Sequence, residues 1–478
     1  MNAKITLGFL PSNWDAWDGP LKDGSKWACK MRDRVVDVIS QIPEIELACP
    51  SVEMTGDGCV SDRESARKTL DMFKAEDIKG LIVGNMTFGM EVAVSHVLNG
   101  LAKDMPILHF CTKSGPIEES SKGGHRTTDT WCGQLMTMSA MKRRGFKYRH
   151  IRTCNPEDST FKESVENFAR AVCGIANFRN ARIGQLGTRP ELFESQVVNE
   201  QLLQKRFSQM VVPMDMATVF SRIEAISPDS PEVHKLAEEI CTGVELCEST
   251  HEAVTNIARY ELAVKNIVKE LDVQAVAASC WTQIQERFHM STCSTFGRLN
   301  EQGIITACEV DVMGALTMLL MYNTAFRKTI PDFIDWTDLH PSEPNVWLAW
   351  HCGNAAMSLK DPRSKAMLGR NERMIQWCPT CFGTLEFKLK DGPVTCARLV
   401  EYDGELTMFI GNGEIVDIAP SIRGAYGWVK VGDVGLWEDR LVEAGIIHHG
   451  CLIHDPKVAA AMEMACYYLG INVVRGDR

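Results

Sequence analysis

Two α/β domains built on parallel sheets, followed by a β-rich, barrel-like C-terminal domain, are what this sequence predicts. Strand-like and helix-like segments alternate over the first 150 residues, and the same alternation returns up to about residue 325. Beyond that the period shortens to strand-length runs separated by Asp-Gly and Gly-Asn-Gly turns. The expected domains are therefore 1–150, 151–325 and 326–478.

Strands are expected at Ile5–Leu10, Ile45–Cys49, Gly80–Val83 and Ile107–Phe110. Helices are expected at Trp27–Ile39, from Ser61 onward, and at Glu91–Leu101; Ser61 and Glu64 have the spacing of a capping box. A parallel sheet of this kind presents ligand loops at the carboxyl ends of its strands, here notably Asn85-Met86-Thr87-Phe88-Gly89. In the second domain Ala181–Leu186, Gln209–Pro213, Gln274–Ala278 and Ile304–Cys308 read as strands, Pro231–Leu271 as one long helical stretch, and Glu309–Met321 as an apolar-faced helix. In the third, Val394–Tyr402, Glu405–Ile410, Glu414–Ala419 and Gly427–Val431 read as strands, with Gly411-Asn412-Gly413 as a hairpin turn. Asp455-Pro456 then opens a last helix that Gly470 stops.

The composition is that of an ordinary globular protein: 478 residues, 45% hydrophobic and 24% charged. A net charge of −11 argues against nucleic-acid or anionic-membrane partners, which call for a concentrated basic face. The nearest approach to one, Lys142–His150, reads as a helix C-terminus stopped by Gly145. The apolar run Ile5–Leu10 is shorter than the core of an export signal, and eighteen scattered cysteines, many within apolar runs, suit reduced thiols; a cytoplasmic protein is expected. Cys378-Pro379-Thr380-Cys381 lacks the second pair that a structural zinc site needs and reads as a turn with two thiols.

No phosphate-cradling, dinucleotide, zinc-protease or serine-hydrolase motif is present, so the chemistry has to come from dispersed residues. Three segments place ionisable groups among apolar ones at element ends. They are Cys308-Glu309-Val310-Asp311; Phe333-Ile334-Asp335-Trp336 together with Trp350-His351-Cys352; and Ile447-His448-His449-Gly450. Adjacent histidines on a strand point to opposite faces, so one of His448 and His449 can enter a site. Two carboxylates and a histidine are a set that holds a hard or borderline divalent cation such as Mn²⁺ with positions left for substrate oxygens.

In order and content, these runs, with Cys308–Leu316 as the longest, resemble the motifs of the L-fucose and L-arabinose isomerase family. The resemblance implies a metal-dependent aldose–ketose isomerase, usually Mn²⁺-dependent, that forms homo-oligomers with sites shared between subunits. Carried over by position, it implies that Glu309 and Asp335 bind the metal and act as acid/base groups, and that His449 is the histidine ligand, with His448 as the alternative. It implies that His351 lies on or near the metal, and that Trp281 belongs to a substrate-side segment. Phe88 and the other N-terminal loop residues are expected to select the sugar; His125 and Arg126 would suit a 6-anionic hexose, for example a sulfonated one. The chain is shorter than a typical fucose isomerase and lacks the GEGDW-type run of arabinose isomerases, so the chemistry is better specified than the sugar. A metal-dependent lyase or epimerase, or a non-catalytic sugar-binding protein, is the alternative on the same fold.

Overall fold

Parallel pairing organises the first part of the chain. In a computed structural model, which describes residues 3–14, 24–114, 128–246, 250–370 and 381–478, strands β1 (Ile5–Ser12), β2 (Ile45–Ala48), β3 (Gly80–Asn85), β4 (Ile107–Cys111) and β5 (Arg149–His150) form one sheet in the order β2-β1-β3-β4-β5. All neighbouring pairs are parallel. Strands β3 and β4 are buried along their whole length, as strands covered by helices on both faces must be. The chain divides into two units, Met1–Ala176 and Asn177–Arg478, and this sheet belongs to the first.

The strand order reverses between β1 and β3, so the loops after these strands, residues 13–14 and 86–89, flank a crevice at their carboxyl ends. Asn85 donates to the Phe88 carbonyl at 3.0 Å and closes the second loop. Gly89 takes a left-handed φ of 77°, and a Cβ there would lie 2.7 Å from the Asn85 amide nitrogen. The helix after Ser61 starts one residue later than the spacing predicts. The Asp62 carboxylate accepts from Ser65 N at 2.7 Å and Asp62 N donates back to Ser65 Oγ at 3.1 Å, so Asp62 and Ser65 form the capping box.

The second unit opens with β6 (Arg182–Leu186), β7 (Met210–Met214), β8 (Glu245–Leu246), β9 (Ala275–Ala278) and β10 (Ile305–Ala307). Four of them form a parallel sheet in the order β10-β9-β6-β7. The stretch Pro231–Leu271 is two helices, Pro231–Cys241 and His251–Leu271, because the chain turns at Gly243 with φ 75° and passes through β8. The expected helix from Glu309 begins only at Val312, where the Asp311 carboxylate accepts from Gly314 N at 2.8 Å as an N-cap.

The remaining strands are β11 (Asp332–Leu339), β12 (Val346–His351), β13 (Met367–Arg370), β14 (Phe382–Lys388), β15 (Gly392–Tyr402), β16 (Glu405–Val416), β17 (Ala425–Lys430), β18 (His449–Ile453) and β19 (Asn472–Arg475). Following the pairs β16-β15-β18-β11-β12-β17 and back to β16 closes a six-stranded antiparallel barrel. The architecture is therefore the predicted one, parallel α/β sheets followed by an antiparallel barrel.

Asp403-Gly404 makes the expected two-residue hairpin, with φ of 52° and 82°. Gly411-Asn412-Gly413 does not turn: it runs through the middle of β16, paired with Val394–Cys396. Its first glycine is needed for a close approach, since a Cβ at Gly411 would lie 2.4 Å from the ring of Trp437. That ring packs with Trp336, Trp347 and Phe409 at centroid distances of 5.2–6.2 Å. At the end of the chain Asp455 accepts from Lys457 N at 3.0 Å, and the last helix runs Val458–Leu469 to the left-handed Gly470.

Among the described residues fifteen cysteines are free. Cys381 is disulfide-bonded, which differs from the expected turn with two thiols, while Cys378, Pro379 and Thr380 lie outside the described residues. No helix of the described residues is long and apolar enough to cross a membrane.

Candidate active site

Glu309 owes its position to a tight turn. After β10 the chain passes Cys308 and takes two successive left-handed residues, Glu309 at φ 58° and Val310 at φ 60°. A β-branched residue is disfavoured there by about 1–3 kcal/mol and persists only where its surroundings hold it. Here Val310 N donates to the Ala278 carbonyl at the end of β9, at 3.2 Å, and Asp311 N to Cys308 O at 3.1 Å. The turn leaves Glu309 off the helix, with its carboxylate free to reach the barrel.

The barrel supplies the other groups. Asp335 on β11 and His449 on β18 are direct cross-strand partners, which places their side chains side by side. His449 Nε2 lies 3.0 Å from Glu309 Oε2 and 3.8 Å from Asp335 Oδ1, and its Nδ1 lies 2.8 Å from Asp311 Oδ2. Trp281 Nε1 donates to Glu309 Oε1 at 3.2 Å. Arg398 on β15, itself 1% exposed, grips both oxygens of Asp311, one of them at 3.0 Å. Gln196 stands 3.4 Å from His449 Nδ1, and Phe193 covers the rings of Trp281, His448 and His449 at 5.7, 4.7 and 6.0 Å.

Burial alone would strip His449 of its proton, but hydrogen bonds to Asp311 and Glu309 hold the imidazolium and carry its pKa up to about 9. Burial likewise opposes ionisation of Glu309, and His449 overcomes it, so the carboxyl sits below its usual range. Asp311 lies far below the usual carboxylate range: its complete burial is outweighed by Arg398 and then by His449.

The donor set fits a divalent cation. Glu309, His351 and His449 each bring a ligand atom within 4.8 Å of the others, as do Asp335, His448 and His449. Asp335 Oδ1 is buried without a hydrogen-bond partner, and a buried carboxylate oxygen left so is costly unless a cation or donor meets it. Three carboxylates outnumber Arg398 and a protonated His449 by one charge; a divalent ion beside a neutral imidazole brings the same groups to neutrality.

Of the residues singled out from sequence, Glu309, Asp335, His449, His351 and Trp281 come together in this cluster. His351 is buried, its ring 6.3 Å from that of His449. His448 is exposed with its ring 4.0 Å from that of His449, and it is His449 that meets Glu309. Phe88 belongs to the first unit, where it packs on Trp14 at 5.1 Å. His125 and Arg126 lie outside the described residues, and Lys142 and Arg143 close the helix Thr130–Arg143 as expected. Arg398, Gln196 and Phe193 were not singled out from sequence, and Asp311 was quoted there without a role. For Arg398 a signal existed, since it is the one charge inside the apolar run Val394–Val400.

Residues 24–179 match the family model of the fucose/sulfoquinovose isomerase N-terminal domain, and residues 349–475 that of the L-fucose isomerase C-terminal domain. The sulfoquinovose isomerase of Alkalicoccus urumqiensis is 24% identical over 344 residues, 71% of this chain and 74% of that protein. That of Priestia megaterium is 22% identical over 411 residues, 85% of this chain and 87% of that protein. Among solved structures, a periplasmic solute-binding protein from Actinobacillus succinogenes 130z with bound D-allose covers 67% of this chain and 92% of that one at 11% identity; its TM-score of 0.16 says nothing about a shared fold.

Proposed function

Because this chain belongs to the L-fucose isomerase family of aldose–ketose isomerases, we propose that it interconverts a sulfonated aldohexose of the sulfoquinovose class with its ketose through a cis-enediol. The reading includes Mn²⁺ as the cation, a cytoplasmic homo-oligomer with sites shared between subunits, and the division of the chain near residues 150 and 325. The sulfonated substrate rests on the relatives' names. The chemistry rests on one observation above the rest, the convergence of Glu309, Asp335 and His449, with Asp335 Oδ1 left without a hydrogen-bond partner.

Glu309, Asp335 and His449 are the residues to hold the cation, with His351 within reach. When bound, the cation supplies Lewis acidity that polarises the sugar carbonyl and acidifies the neighbouring C–H. One carboxylate of the Glu309/Asp335 pair takes the proton from C2 and returns it to C1, and the other moves the hydroxyl proton between O2 and O1. Glu309 is suited to this because its carboxyl is ionised although buried. Asp311, locked by Arg398, fixes the ring of His449 through Nδ1 and leaves Nε2 directed at Glu309. Trp281 pins the second Glu309 oxygen, and with His351 and Phe88 it is assigned to sugar binding.

The test is incubation of metal-stripped protein with sulfoquinovose, fucose, arabinose and neutral hexoses in D₂O, with and without Mn²⁺, followed by NMR. Ketose formed from the sulfonated sugar, dependent on Mn²⁺ and carrying deuterium at C1, is the expected result. Turnover of neutral sugars alone would overturn the substrate, and no turnover of any aldose would overturn the isomerase reading.

The pH dependence has opposite signs for the two forms of the protein. In metal-free protein His449 binds its proton more tightly than in the unfolded chain, so its stabilising contribution is complete below pH about 6.5 and is lost as pH rises through about 9. A cation has to displace that proton, so metal affinity should rise roughly tenfold per pH unit between pH about 7 and 9 while about one proton is released per site. Calorimetric titration with Mn²⁺ in buffers of different ionisation enthalpy measures both quantities. Affinity that is flat with pH would sink the assignment of His449 as a ligand.

A further inference from the structure

Glu309 has a second set of neighbours. Cys280, just beyond β9, and Cys308, just beyond β10, each bring their sulfur within 4.8 Å of the other and of a Glu309 carboxylate oxygen. The adjacency follows from topology, since β9 and β10 are parallel neighbours paired from Ala275–Ala277 to Ile305–Ala307, and both thiols follow their ends. Both are buried, at 6% and 1% exposure, and free. Cys293 and Cys352 lie close enough to interact electrostatically with this pair or with each other. The proton chemistry described above uses none of these thiols.

We propose that Cys280, Cys308 and Glu309 form a thiophilic cation site that shares Glu309 with the Asp335/His449 site, so that a zinc-class ion bound there withdraws Glu309 and silences the enzyme. Thiolates are the ligands that zinc and cadmium favour and Mn²⁺ does not, and a carboxylate also serves zinc, so the two sulfurs set the preference. Ligands of a tetrahedral zinc with Zn–S bonds of about 2.3 Å stand roughly 3.8 Å apart. The observed spread, within 4.8 Å, closes with shifts of about 1 Å. On binding, each thiol gives its proton to solvent and its sulfur lone pair to the ion; no oxidant takes part. Inhibition by this route rests on the reading of Glu309 as a ligand of the catalytic cation, whereas the thiol site itself does not.

The experiment titrates the metal-free full chain with Cd²⁺ and follows the thiolate-to-cadmium charge-transfer absorption in the ultraviolet, for the parent, Cys280→Ser and Cys308→Ser. Exposed Cys132 and the other thiols contribute equally to all three, so the parent-minus-variant difference is read. Removing a ligand should weaken binding at least as much as removing an outer partner, roughly 10–100-fold. The expected result is a difference band that saturates at one Cd²⁺ per chain, and a parent affinity for Cd²⁺ that falls as Mn²⁺ is raised. In turnover assays with Mn²⁺, the variants should tolerate at least about tenfold more Cd²⁺ than the parent. Identical titrations in all three proteins would overturn the site. A Cd²⁺ affinity indifferent to Mn²⁺, which is measured on the parent alone and needs no substitution, would overturn the sharing of Glu309. A full difference band in a protein that isomerises no aldose would overturn the isomerase reading and leave the thiol site standing.

Discussion

Glu309→Gln is expected to lower kcat by about 10⁴-fold, the upper range for losing a positioned acid/base group, with the fold preserved. The side chain keeps its size and its strained turn, because the left-handed backbone at Glu309 and Val310 is held by Val310 N to Ala278 O and Asp311 N to Cys308 O, not by the carboxylate. What disappears is the negative charge that faces His449 Nε2 at 3.0 Å. The amide cannot take a proton from carbon, and it is a poorer partner for a divalent cation. The measurement is steady-state turnover at saturating Mn²⁺ beside far-ultraviolet circular dichroism of the same sample. A kcat within tenfold of the parent would remove Glu309 from the proton-transfer pair. A fall that extra Mn²⁺ fully repairs would reduce its role to cation binding.

Asp311→Asn should have the largest effect on stability. Asp311 is 1% exposed and does three jobs at once: it caps the helix Val312–Thr324 through Gly314 N, grips Arg398, and holds His449 Nδ1. Asparagine is as good a cap as aspartate, so the helix start survives. The guanidinium of Arg398, buried with its partner gone, does not, and stranding one half of a buried pair costs about 3–5 kcal/mol. The His449 pKa should fall from about 9 toward its ordinary value, and cation affinity should drop roughly 10–100-fold, as for other outer partners of a ligating histidine. Thermal unfolding of the metal-free protein together with Mn²⁺ titration reads both effects. The double substitution Asp311→Asn with Arg398→Met separates the causes: it should recover much of the stability, because no buried charge is left alone, and little of the cation affinity. Recovery of neither would assign the loss to the helix cap.

Much of this was legible because local patterns and tertiary needs agree. The strands around β1, β3 and β4 are apolar runs flanked by helices, and burial on both faces is what such runs demand. The Asp403-Gly404 turn was legible for the same reason, since two positive φ values call for those residues. Gly411-Asn412-Gly413 carried the same local signal and has the opposite outcome. There the glycine serves the Trp437 ring that lies against it, a contact made by a helix 23 residues further on that no window around Gly411 contains. The helix start was displaced from Glu309 to Val312 in a similar way, by the cap at Asp311 and by the hook from Val310 N to the end of β9.

The sequence by itself determined the order of parallel and antiparallel parts, since that follows from the period of its apolar residues, and the residue types available for cation and proton chemistry. Only the tertiary structure decided how they are used. It chose His449 over His448 as the partner of Glu309, because the cross-strand register sets His449 opposite Asp335. It brought Asp311 and Arg398, 87 positions apart in the chain, into one buried pair behind that histidine. It also turned Glu309 away from its helix and toward both His351 and His449 of the barrel and the thiols of Cys280 and Cys308. These outcomes depend on strand pairing and on charges that burial makes unaffordable alone, and both exist only once distant segments have met.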